Sequence, residues 1–365
     1  MKIREFKYFP YRLKFNSIFI TSKQTFKLRD IIILQLIDDE GNKSYGEAAP
    51  LQNFGSENLN DIKNLLKEKI SEFSGLEIED AISLSASPAF NKYPVTKFAL
   101  EQAIMNFAIH SNYRPVINLI STGVQNKIPV NAVVGKLPLK ETVKKIEEIT
   151  VGNYSSVKIK IGRRNFYDDL QIIDAAYKSI DTKIKLRLDL NGSWLLEKAK
   201  ENISQITNYN IEFIEQPVKD TNELINLSRT SPIKIAPDES ANNLNNTINL
   251  IDSDIFDFIV IKPMLNGGIF DTIKMINYAN LKGVNIIISS ALESAVGRSI
   301  LPLLASNTNH NFAHGLATTE FYKNDLTPDF YKIKNGFVKF DFDKYKEYIT
   351  KLSGDEQFEK KLYMA

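Results

Sequence analysis

In the stretch SSVKIKIG, two lysines, Lys158 and Lys160, flank a single isoleucine. The stretch is short and apolar, as a buried strand is, and on a strand both ammonium groups face the same side. Burying two like charges together is costly unless negative charge lies opposite them. Further along, candidate strands close on suitable groups. IKLRLDLN ends with Arg187, Asp189 and Asn191, spaced by two and so on one face; IEFIEQP ends with Glu215. IKIAPDES ends with Asp238 and Glu239, FIVIKP with Lys262, and NIIISSALES with Ser289, Ser290 and Glu293. The steps from Lys160 to Asp189, Glu215, Asp238 and Lys262 are 29, 26, 23 and 24 residues. Each is about one strand–helix unit, which carries every charge to the same height on a successive strand of a barrel.

The chemistry follows from the residue types. Three converging carboxylates without His or Cys suit a hard cation such as Mg²⁺, with Mn²⁺ as a substitute, and leave coordination positions for substrate. A divalent ion holding a substrate carboxylate stabilises the enediolate formed when the adjacent C–H proton is removed. Lysine serves as the base if burial and neighbouring cations lower its pKa; Lys158 is expected to do this for Lys160. The expected reaction class is proton abstraction alpha to a carboxylate. Each piece alone is commonplace. K-x-K also marks solvated strands, DES also caps helices, and EQP also ends a strand before a turn. Asn266-Gly267-Gly268 reads as a turn opening a helix, and His110, His310 and His314 as structural. A common register for five charges is what these bland readings do not supply.

The elements that must position these groups fall into two regions. FKYFPYRLKF, TFKLRDIIILQLID and SYGEAAPL read as strands. SENLNDIKNLLKEKISEF and PVTKFALEQAIMNFAIHSN follow with helical spacing. From about residue 128, short strands alternate with amphipathic helices, beginning with IPVNAVVG and ending with a weak NFAHGL. Eight candidate strands make an α/β barrel of TIM type whose last helix is missing. After Glu320 the chain becomes turn-rich, TPDFYKIKNGFVKFD. The expected division is an α+β cap over 1–110, completed by 320–365, and a barrel over 111–319.

A formal net charge of +2 in 365 residues offers no electrostatic case for nucleic acid or an anionic membrane. There is no cysteine, which excludes disulfides and thiolate metal sites. The charged start lacks a signal peptide's apolar stretch, and no apolar run is long enough to span a bilayer. A cytoplasmic protein acting on a small-molecule carboxylate is expected, with oligomeric state left open.

Taken together, K-x-K, D-x-N, E-Q-P, D-E-S and K-P on successive strands resemble the muconate lactonising subgroup of the enolase superfamily, whose sites pair a lysine base with Mg²⁺. The resemblance covers essentially the whole chain and implies a (β/α)₇β barrel with an enolase-type capping domain. TSKQTFKLRD, YGEAAPLQNFGSENL, RLDLNGSW and SSALESAVG look most like the o-succinylbenzoate synthase family, carbon–oxygen lyases of menaquinone synthesis. That likeness implies Mg²⁺ on Asp189, Glu215 and Asp238. Lys160 would remove the proton and then return it to the departing hydroxyl in a syn dehydration, and Lys262 would stabilise the enediolate from the other face. Lys158 and Arg187 would tune and position, while Asn191, Ser289, Ser290, Thr21 and Phe54 would contact substrate. Cap loops at Thr21–Gln24 and Phe54–Ser56 would close over it.

Related activities differ in their motifs. Dipeptide epimerases of the subgroup carry Asp-x-Asp at strand eight, where this chain reads HGLATTEFY. Many N-succinylamino acid racemases carry an arginine three residues after the strand-six lysine, where this chain has Leu265. A metal-binding barrel without catalysis is the remaining alternative, and the presence of both Lys160 and Lys262 speaks against it.

Overall fold

A computed structural model describes residues 2–20, 25–120, 125–150 and 152–364. The strands β1 (Ile3–Ile20), β2 (Thr25–Asp38) and β3 (Lys43–Ala48) form an antiparallel sheet in the order β1-β2-β3. Helices α1 (Leu59–Lys69), α2 (Ile78–Ser85), α3 (Pro94–His110) and α4 (Arg114–Ile120) follow. α1 begins at a capping box, in which Asn58 accepts from the Asp61 N–H and Asp61 accepts from the Asn58 N–H. Every residue of α3 from Val95 to Ile109 is buried, because the helix lies between this sheet and the barrel. Gly46 lets β3 approach α3: a Cβ there would stand 2.0 Å from the Ala99 carbonyl oxygen.

The lead-in IPVNAVVG is not one strand. It divides into β4 (Lys127–Pro129) and β5 (Ala132–Val134). The barrel then alternates α5 (Leu139–Thr150), β6 (Ser156–Lys160), α6 (Phe166–Ser179), β7 (Lys185–Asp189), α7 (Leu196–Ser204) and β8 (Ile211–Glu215). α8 (Thr221–Thr230), β9 (Ile235–Ala236), α9 (Leu244–Asp252), β10 (Phe258–Ile261), α10 (Ile269–Lys282) and β11 (Asn285–Ile288) continue the pattern. β5 to β9 form a parallel sheet, β10 pairs parallel with β11, and the Val260 N–H donates to Pro237 O between them. After α11 (Ala295–Arg298) and α12 (Leu301–Ser306), the eighth position is reduced to parallel bridges, Ser289 to Gly315 and Val130 to His314, which close the ring.

No helix follows that eighth position directly. The tail forms β12 (Ile333–Lys334) and β13 (Phe337–Lys339), and β13 pairs with β4 rather than with the N-terminal sheet. Then α13 (Phe342–Ser353) and α14 (Glu356–Tyr363) return to that sheet. Glu359 takes both the Lys43 ammonium, at 2.7 Å, and the Gln35 amide, and Tyr345 donates to Asn106 of α3. No described helix is long and apolar enough to cross a membrane.

Candidate active site

Alternation along β6 turns Ser156, Lys158 and Lys160 inward, while Val157 and Ile159 pack outward under the helices. Register places Lys160 beside Asp189 and Asp189 beside Glu215 at the C-terminal ends of β6, β7 and β8. The negative charge opposite the two lysines is therefore shared. Asp189 Oδ2 lies 2.9 Å from Lys158 Nζ and 2.7 Å from Lys160 Nζ. Lys158 also reaches Glu215 at 2.7 Å, and Lys160 donates to Asn191 Oδ1 at 2.9 Å. Across the ring, Lys262 pairs with both oxygens of Asp238.

Burial opposes charge at Lys158, Asp189, Glu215, Asp238 and Lys262, so their partners decide each outcome. At Lys158, Asp189, Glu215 and Asp238 overcome burial and raise the pKa. Lys158 is thus a held ammonium, the counter-ion of two carboxylates. Lys158 and Lys160 hold Asp189 well below the usual carboxylate range, and Lys262, with Lys158, lowers Asp238. Glu215 differs. Burial and the adjacent Asp189 push it up to about 8 against the pull of Lys158.

Two residues that sequence reasoning passed over hold this ring in shape. Gln216, in left-handed backbone with φ 39°, accepts from the Asp238 and Ser240 N–H groups at 2.9 and 3.1 Å. Its amide donates to Val218 O and Ser240 Oγ. Asn266 accepts from the Lys262 N–H and donates to Ala241 O, each at 2.5 Å, tying the end of β10 to the turn after Asp238. The Asn-Gly-Gly turn is therefore also a brace. Its signal was the asparagine four residues after the lysine.

A cavity of about 630 Å³, its open mouth included, lies above the ring. Lys158, Lys160, Asp189, Asn191 and Lys262 form its floor, and Ser289, Ser290 and Phe54 its side, so these expected residues do come together. The hydroxyl of Ser290 is engaged: it donates to Glu293 and accepts from the Leu292 N–H and from Thr318. Ser289 fits only because residue 315 is glycine, where a Cβ would stand 2.6 Å from its oxygen. Arg187 is not at the cavity. Two residues below Asp189 on the same face, it reaches Glu212 at 2.6 Å, Asn131 and Ala313 O, and stacks 4.6 Å over Phe213. Near this lower layer His310 and His314 stack on each other, and burial lowers the pKa of both. Thr21 lies outside the described residues. Thr318, Phe19, Phe26 and Phe321 also line the cavity and had not been singled out.

The donor chemistry fits a hard divalent cation: three buried carboxylates on neighbouring strands, one of them, Glu215, pushed up by burial and by the adjacent Asp189. In the described arrangement, ammonium groups occupy the inner faces of these acids. Among the described residues, accordingly, no group of three or more candidate ligands is gathered to hold an ion.

Residues 141–341 match the family model "Enolase C-terminal domain-like". The chain belongs to the enolase superfamily. Residues 3–106 match a second model, "MenC, N-terminal domain", which together with the first makes the chain similar to o-succinylbenzoate synthases. An o-succinylbenzoate synthase of Aliivibrio salmonicida is 28% identical over 324 residues, covering 88% of this chain and 92% of that relative. An L-amino acid-D/L-Glu epimerase of Francisella philomiragia is 26% identical over 304 residues, covering 81% and 85%. The fold is that of a dipeptide epimerase from Enterococcus faecalis V583 solved with Mg and the dipeptide L-Leu-L-Tyr. The TM-score is 0.85 at 22% identity, over 93% of this chain and 98% of that one. Relatives of similar identity thus divide between o-succinylbenzoate synthases and epimerases.

Proposed function

We propose that this enzyme is an o-succinylbenzoate synthase of menaquinone synthesis. It dehydrates 2-succinyl-6-hydroxy-2,4-cyclohexadiene-1-carboxylate to o-succinylbenzoate. One observation carries the choice over a dipeptide epimerase. The cavity wall facing the lysines is apolar and, among the described residues, holds no carboxylate to receive a substrate ammonium. An unpaired ammonium in such a wall loses its hydration without replacement.

In this reading Asp189, Glu215 and Asp238 hold Mg²⁺, which when bound neutralises charge developing on the substrate carboxylate. Lys160 Nζ, in its neutral amine form and braced by its N–H to Asn191, takes the proton alpha to the ring carboxylate and becomes the ammonium. The same nitrogen then delivers it to the departing hydroxyl on the same face, so that water leaves and the ring becomes aromatic. Lys262, held over the opposite face by Asp238 and the Asn266 brace, stabilises the enediolate by its charge. Lys158 favours the ionised forms of Asp189 and Asp238 and opposes the upward push on Glu215. Ser289 and the wall about Phe54 border the succinyl arm. Arg187 acts from below, fixing β7 through Glu212 and Asn131. The cap is assigned to 1–110 with 320–365, and the barrel to 111–319.

The test is a spectroscopic dehydration assay run beside α-proton exchange of N-succinylamino acids in D₂O. Dehydration with a kcat/KM at least a hundred-fold above that of exchange supports the synthase. Rapid exchange with no dehydration overturns it in favour of a racemase, the two lysines then passing protons from opposite faces.

A further inference from the structure

The wall opposite the lysines is assembled from distant parts of the chain. The pairing of β1 with β2 shifts register between Lys14 and Phe19, and at that shift the chain after the eighth barrel position crosses β1. The Asn16 N–H donates to Phe321 O at 2.8 Å, and the Lys323 N–H to Lys14 O at 2.9 Å. The Asn16 side-chain amide donates to Glu320 O at 2.6 Å. Phe15 and Tyr322 form an antiparallel bridge with their rings 4.8 Å apart. This pairing delivers Phe321 into the cavity, where its ring lies 5.0 Å from that of Phe19. Phe19 in turn packs at 6.4 Å on Phe26.

Three rings from β1, β2 and the tail therefore share one wall, and Phe321 is the member that joins barrel to hairpin. From this we infer that Phe321 is a specificity-determining residue. It pins the described hairpin strands against the barrel and forms the surface on which the uncharged ring of the substrate packs. The inference rests on the function proposed above and adds the residue that selects for it. Aromatic contacts of this geometry favour a flat, apolar body, and the same wall excludes bodies bearing an ammonium. The selection is one of binding, since the hydrocarbon ring of Phe321 has no group that gives or takes a proton.

Steady-state dehydration by F321A and F321L, with hydrogen exchange of peptides spanning residues 12–20 and 25–30, decides the matter. F321A should raise KM at least ten-fold while kcat stays within three-fold, and should speed exchange in both hairpin peptides at least five-fold. F321L, which keeps an apolar wall, should stay within three-fold of the unaltered protein in KM. An F321A variant with KM within two-fold of the unaltered protein overturns the specificity role. Unchanged hairpin exchange overturns the pinning. An unaltered protein that dehydrates no cyclohexadiene carboxylate overturns the proposed function and the specificity role with it, and the exchange measurement still decides the pinning.

Discussion

Replacing Lys158 with methionine tests the charge ring directly, because methionine keeps most of the side chain's length and removes only the charge. The Lys158 ammonium is buried and lies 2.9 Å from Asp189 and 2.7 Å from Glu215. Without it, Asp189 retains Lys160, but Glu215 loses the one lysine that reaches it within ion-pair distance among the described residues. Breaking a buried ion pair from one side costs about 3–5 kcal/mol. For a cooperative unit of roughly 200 residues, with about 2.1 cal/mol/K of unfolding entropy per residue, this lowers Tm by about 7–12 °C. If these acids hold Mg²⁺ as proposed, the ion would have to draw their oxygens from the lysine in the unaltered protein, whereas in K158M it would meet acids that lack that counter-charge. Saturating Mg²⁺ should therefore raise the Tm of K158M more than that of the unaltered protein. Scanning calorimetry with Mg²⁺ and with chelator measures both terms. A Tm loss under 2 °C, or equal Mg²⁺ shifts in the two proteins, would refute the view that Lys158 is the counter-ion of the acids proposed to bind the metal.

Lys160→Ala should lower the dehydration rate by about 10²–10⁴-fold or more while the Mg²⁺-induced Tm shift persists; retained turnover means that another group is the base. Asn266→Ala leaves the Lys262 N–H and Ala241 O without their buried partner, costs about 1–3 kcal/mol by chemical denaturation, and lowers kcat more than it raises KM. An unchanged kcat would show that the brace does not position Lys262. Glu101, fully buried on α3, is pushed by burial up to about 8 although Lys97 opposes the shift. The folded state therefore holds this proton more tightly than the unfolded chain, and Glu101 makes stability fall as pH rises from about 4.5 to about 8. The slope is at most about 1.4 kcal/mol per pH unit. Chemical denaturation across that window should show a flatter profile for Glu101→Gln, and an identical profile would remove Glu101 as the cause.

The charge ring was legible in the sequence because its spacing is set by the barrel itself. A strand, a helix and two loops recur at a nearly constant length, so equal steps imply equal height. What resisted reading depended on contacts distant in sequence. From the strand alone Lys158 reads as a like charge beside Lys160; the side-chain contacts show that Asp189 meets both ammonium groups. Arg187 shares a face with Asp189, but face alone does not give depth, and two residues along a strand are about 6.6 Å. IPVNAVVG carries one continuous apolar signal, yet its first half pairs with the tail strand β13, over 200 residues away in the chain. Phe321 was hidden for the same reason. Its role depends on an antiparallel crossing with β1 at a register shift, which no local pattern announces.

The N-terminal domain is commonly pictured as a cover, but its buried acids give it a second task. Glu101 accepts from the Ile269 and Phe270 N–H groups at 2.6 and 3.1 Å, at the start of the helix that follows Lys262. Glu47 of β3 accepts from the Ser294 and Gly297 N–H groups, each at 2.8 Å, at the start of the short helix that follows Ser289 and Ser290. Between them Gln102 accepts from the Glu47 N–H and donates to Val296 O. Carboxylates at helix starts satisfy N–H groups that the helix itself leaves open. Adjacent to them, the buried guanidinium of Arg29 donates to Leu292 O and Ala291 O on the strand-seven loop and to Pro50 O and Ala49 O on its own domain. Leu292 holds a left-handed φ of 64° at this junction, and Tyr322 donates to the same Leu292 carbonyl. The two barrel loops that shape the cavity on the side of Lys262 and the serines are thus anchored by cap residues, whereas Lys158, Lys160 and Asp189 are set by the register of the barrel sheet. A change in how the cap docks would therefore move one half of the site relative to the other. The apolar wall and the loop after Lys262 thus share the cap's anchorage, and a shift of the cap would move both relative to Lys158, Lys160 and Asp189.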